Sequence, residues 1–69
     1  MSMHPNAILH EAEQLYNVSD RLDSLAGQHP VHAEAIIAIS GSVRNTATLL
    51  EVLYATKMAR LLGIDPGNA

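Results

Sequence analysis

The sequence contains no cysteine, no phenylalanine and no tryptophan. Without cysteine there are no disulfides and no thiolate metal sites. Without Phe or Trp, the core must come from Ile, Leu, Val, Met, Ala and two tyrosines, although 48% of the residues are hydrophobic. That composition favours interlocked helices over a β-sandwich. Cations are also scarce. The four Lys and Arg residues, Arg21, Arg44, Lys57 and Arg60, are scattered, and the net charge is −3. Nucleic-acid binders replace phosphate counterions with a basic stripe, so no nucleic-acid partner is expected. The longest apolar run, Ala35 to Ile39, is far shorter than the roughly 20 residues of a membrane span. No basic stretch leads into an apolar run near Met1, so a soluble cytoplasmic chain without a membrane partner is expected.

What is present is periodicity. Ile8, Leu15 and Leu22 recur every seven residues, and Ile36, Val43 and Leu50 do the same. The pairs Leu22/Ile36, Leu15/Val43 and Ile8/Leu50 are all centred on His29, inside the break Gly27-Gln28-His29-Pro30. Two antiparallel helices zipped along one seam produce this pattern. The six residues are therefore the expected hairpin core. Small residues alternate with them: Ala12, Ser19 and Ala26 on the first stripe, Ser40 and Ala47 on the second. Such alternation lets layers interdigitate and helix axes approach.

The expected fold is all-α, a two-helix hairpin forming one domain over residues 1–69. Helix one should run from about 5 to 26, with Pro5 in its first turn and Gly27 supplying a left-handed terminal residue. Helix two should run from about 31 to 62, with Pro30 and Glu34 at its start. Gly63 is the expected cap, and a flexible tail follows over 64–69. Ser40-Gly41-Ser42 is the weak point, since an interior glycine costs roughly 1 kcal/mol against alanine. The apolar phase passes through it undisturbed, so one continuous helix is expected rather than a break.

Helix two is expected to outrun its partner by about 15 Å. The overhang carries Leu53, Tyr54, Met58, Leu61, Leu62 and Ile64, while Ile39 and Leu49 flank the main stripe. Monomers rarely tolerate such a patch. Self-association is expected, as a homodimer forming a four-helix bundle with an interface through Leu49, Leu53, Tyr54, Met58, Leu61 and Leu62; another protein is the other candidate partner. Ala55, Ala59 and Gly63 could form a ridge of close approach.

Chemistry-bearing residues are few. His4, His10, His29 and His32 are divided between the two ends of the hairpin. His29 and His32, with Glu34 nearby, offer at most a partial metal site, because zinc needs a fixed third ligand. Neither Glu11, Glu13, Glu34 nor Glu51 is followed three residues later by histidine, so the Glu-x-x-His signature of di-metal bundles is missing. Asp20 and Asp23 can neighbour each other on one face. Arg44 stands in a polar island beside Asn45, Thr46 and Thr48, and an ion pair with Glu13 or a contact with Asn17 is its expected partner. Asn17-Val18-Ser19 fits a glycosylation triplet, common by chance. No nucleophile has a histidine and an acid arranged around it, and no Gly-rich phosphate loop occurs. The expected function is therefore non-enzymatic, without cofactor or metal: a self-associating interaction or regulatory module. The alternative is a bundle binding a metal or small ligand through His29, His32 and Glu34, or in a cavity near Tyr16 and Tyr54.

Overall fold

The computed structural model of the chain describes residues 6–61 and 63. Two helices, α1 (Ala7–Gln28) and α2 (Ala33–Leu61), pack against each other, joined through His29 and a 3-10 turn over Pro30–His32. The all-α hairpin expected from the heptads is the fold. His4, Pro5, Leu62, Ile64 and the tail over 64–69 lie outside the described residues.

The turn is built differently from the expectation. Gly27 is helical, and the glycine with positive φ among the described residues is Gly63. α1 instead stops at His29, which has φ −133° and ψ 77°. The reason is Pro30: its ring clashes with helical geometry at the preceding residue and drives it to extended backbone. The His29 amide still bonds back to the Ala26 carbonyl at 3.2 Å, and the His32 amide bonds to the His29 carbonyl at 2.9 Å. Pro30 then takes the first position of the 3-10 turn, where a missing N–H costs nothing.

α2 runs without interruption through Ser40-Gly41-Ser42. Glu34 occupies its first turn and Arg60 its last, each at the end of the macrodipole that favours its charge. Gly63, at φ 81°, closes the helix with its amide on the Arg60 carbonyl at 3.1 Å. This is the cap expected of it, a left-handed position that a side chain would strain.

The seam between the helices is made of small residues. Ala12, Ser19, Ala26, Ser40 and Ala47 are fully buried, and Ser19 and Ser40 are the largest side chains so placed. Ile8, Leu15, Leu22, Ile36, Val43 and Leu50 are each half-buried. The small residues also recur in sevens, and Ser19 faces Ser40 directly. Small side chains let the backbones come close, and the close approach pushes the large residues of the neighbouring heptad positions to one side.

Candidate functional site: two unlike faces of the hairpin

At 3.6 residues per turn, Tyr16, Asp20 and Asp23 lie to one side of the α1 seam. Arg44, Thr48 and Glu51 lie to the corresponding side of the α2 seam. Their contacts show that the two sets share one broad face. The Tyr16 hydroxyl donates to Glu51 Oε1 at 2.8 Å and lies 3.0 Å from Thr48 Oγ1. Arg44 Nη2 donates to Asp23 Oδ2 at 3.2 Å and to Asp20 Oδ1 at 3.4 Å. It also donates to Ser19 Oγ at 2.8 Å, which ties this face to the buried serine pair.

Arg44 thus finds Asp20 and Asp23, not the Glu13 or Asn17 expected from register alone. Helical side chains lean toward their own N-terminus. For Arg44 that direction leads toward the loop end of α1, one to two turns past the level residue. The same lean carries Tyr16 the opposite way, to Thr48 and Glu51. Asp20 and Asp23 are brought together, as their spacing implied, by a shared cation.

The serine pair beneath is closed upon itself. The Ser40 hydroxyl donates to the Ser19 carbonyl at 3.0 Å, the Ser19 hydroxyl can donate to the Ser40 carbonyl at 3.2 Å, and the two Oγ atoms are 2.7 Å apart. Among the described residues no buried side-chain polar atom lacks a partner. Both serines are at most 1% exposed, so these hydroxyls serve packing and register and are closed to any substrate.

The opposite broad face is apolar. Leu15 and Val43 stand at its middle, with Ile8 and Leu50 one heptad toward the open end and Leu22 and Ile36 one heptad toward the loop. Because the helices are antiparallel, the same sense of rotation away from each seam brings both sets to one side. Exposed Leu25 and Ile39, at 40% and 55%, extend that face. Leu53, Met58 and Leu61 continue along the α2 overhang and are also exposed. Of the expected interface residues, Leu49 is exposed on the side of α2 turned away from α1. Tyr54 is half-buried, its hydroxyl donating to Asn6 Oδ1 at 3.0 Å, and Leu62 lies outside the described residues.

His29, His32 and Glu34 are all exposed at the loop end. Among the described residues no group of three His, Cys, Asp or Glu is arranged to hold a metal ion. An open groove of about 500 Å³ lies at the other end, lined by Asn6, Leu9, His10, Glu13, Tyr16 and Glu51. It adjoins Tyr16, as the expected cavity did, but Tyr54 does not line it. By length and composition alone, the stretch Pro30–Leu61 could cross a bilayer, an 18-residue window within it having a mean hydropathy of 1.2. A search for unbroken apolar runs passes over it because Ser40, Ser42, Arg44 and Asn45 interrupt them.

No family model, curated protein or solved structure matches this chain. The class is defined by the fold alone: an antiparallel α-helical hairpin with a small-residue seam, one polar face and one apolar face.

Proposed function

We propose that this chain is a non-enzymatic, self-associating helical module whose hairpins pair into a four-helix bundle and which acts through protein–protein contact. One observation carries the reading: among the described residues, the largest side chain fully buried within a single copy is serine. Burying a Leu, Ile or Val contributes roughly 1.5–3 kcal/mol, and single cores below about 70–80 residues rarely supply more than 3–5 kcal/mol. A hairpin that leaves every described large aliphatic half-covered or exposed gives up most of that contribution. Stacking two apolar faces recovers it, and bundles built this way use inward residues at heptad spacing.

Soluble cytoplasmic behaviour belongs to the same proposal. It is supported by the acids Glu11, Glu13, Asp20 and Asp23 on α1, which would be costly in hydrocarbon. The metal-binding alternative gains no support from the exposed, separate positions of His29, His32 and Glu34.

Sedimentation equilibrium across the micromolar range tests the proposal. The expected result is a mass of twice the 7.4 kDa chain, falling toward one copy on dilution. A folded species that stays at 7.4 kDa throughout overturns it. Retention on neutral lipid vesicles in place of dimerisation would redirect the apolar face to a bilayer.

A further inference from the structure

The apolar face has a symmetry that bears on how a second copy would sit. Its three layers, Ile8/Leu50, Leu15/Val43 and Leu22/Ile36, are equally spaced, seven residues apart on each helix. A half-turn about an axis through the middle layer exchanges the outer two, so large aliphatics meet large aliphatics at every level. That is the requirement of an isologous contact, in which one patch must complement itself.

We propose that a second copy of this chain covers this face with each helix antiparallel to its own counterpart, the twofold axis crossing the helices at the level of Leu15 and Val43. This rests on the self-association reading above and adds to it the orientation of the partner.

Two twofold stackings of a hairpin are possible, and the overhang distinguishes them. With the axis along the helices, both copies project α2 past α1 at the same end, and Leu53, Met58 and Leu61 gain no neighbour from α1. With the axis across the helices, each overhang runs beside the partner's loop end. From Val43, the helix reaches about 27 Å to Leu61 and about 20 Å back to Pro30, at 1.5 Å per residue, so Leu53 lies beside the partner's loop end, Met58 at its edge, and Leu61 about 7 Å beyond it. At that loop end Leu25 and Val31 are 40% and 90% exposed, so the arrangement covers two apolar surpluses with each other.

Charge agrees with this choice. Lys57 and Arg60 are on the overhang, and the crossed axis delivers them to the partner's loop end, where Glu34 stands in the first turn of α2 and the last turn of α1 holds no basic residue.

The experiment exploits the absence of cysteine. In the otherwise unaltered full chain, Arg60→Cys is spin-labelled and the label–label distance is measured in the dimer. The crossed axis places the two labels about 50 Å apart, from 17 residues on either side of the axis at 1.5 Å each. A distance below about 20 Å would overturn the orientation while leaving association intact.

A pair of charge insertions tests the face. Ile39 and Val52 are 55% and 54% exposed, but Ile39 flanks the apolar face and Val52 lies toward the polar one. Ile39→Glu should weaken the dimer at least tenfold, read as mass or as loss of helix on dilution, and Val52→Glu should change it less than twofold. Equal effects would overturn the choice of face. A monomeric mass for the unsubstituted chain would overturn both this proposal and the reading beneath it.

Discussion

The hydroxyls of Ser19 and Ser40 lie 2.7 Å apart across the helix pair, and each is also within hydrogen-bonding distance of the other's backbone carbonyl. A side chain as short as serine reaches an opposing backbone only where two helices come unusually close. The pair therefore fixes register and spacing together: a shift of either helix would leave buried hydroxyls unpaired.

A double-mutant cycle tests that coupling. Ser19→Ala deprives Arg44 and Ser40 of a partner, and Ser40→Ala leaves the Ser19 hydroxyl with a 3.2 Å contact to a carbonyl that α2 also uses. Each single change should cost about 1 kcal/mol in urea unfolding, because the remaining buried hydroxyl loses its 2.7 Å partner and keeps only the opposing carbonyl among the contacts between the two serines. The double change should cost less than the sum by about 0.5–1 kcal/mol, since the bond between the two hydroxyls is lost only once. Strict additivity would show that the hydroxyls act independently.

The glycines make the opposite prediction. Gly27 and Gly41 are helical, and a Cβ added at either would meet nothing within 4 Å. Alanine at each position should raise stability by about 0.5–1 kcal/mol through lower unfolded-state entropy. The two gains should add, because the sites share no partner. Gly63→Ala should destabilise the end of α2, since its φ of 81° disfavours a side chain. Thermal melts of the three variants check the set, and a loss of stability at Gly41 would mean that an unseen surface lies against it.

Much of this arrangement was legible in the sequence. The large-residue heptads gave two antiparallel helices in the correct order, and the unbroken phase across Gly41 gave one continuous α2. The identity of the seam was harder to read. Heptads of large and small residues run side by side along both helices, and hydrophobicity draws attention to Leu15 and Val43. The residues at the centre, Ser19 and Ala47, are those whose size permits contact between backbones, which hydrophobicity does not rank. Gly27, shortly before Pro30, suggests a left-handed cap, whereas the steric rule for the residue before Pro30 decides where α1 ends. The partner of Arg44 depended on side-chain lean, which register arithmetic omits.

Salt should separate the two kinds of contact that Arg44 makes. Its side chain is 45% exposed, and those of Asp20 and Asp23 are 70% and 48% exposed, so these ion pairs together contribute about 0.5–1 kcal/mol at most. The hydrogen bond to Ser19 is part-buried and barely screened. Arg44→Met should therefore cost more in 10 mM salt than in 1 M, where the screening length falls to about 3 Å, with a residual cost at high salt. Asp23→Asn, at the shorter 3.2 Å contact, should lose more than Asp20→Asn. Urea midpoints at the two salt concentrations check this, and a cost for Arg44→Met independent of salt would assign it wholly to the serine bond and to packing.

Leu15 offers a direct reading of whether the apolar face is covered. In one copy it is half-buried, and truncation to alanine should cost less than the roughly 2–5 kcal/mol of a fully buried leucine. If the face is sealed by a second copy, the full cost should appear once the protein is concentrated enough to dimerise. The penalty for Leu15→Ala should then grow with protein concentration, because the variant loses dimer linkage as well as its own contacts. Leu15→Ala and Val43→Ala, in adjacent positions of one layer, should be non-additive under the same conditions. Melting temperatures at two protein concentrations a hundredfold apart suffice. A small, concentration-independent penalty would mean that water, not protein, covers the middle of the face.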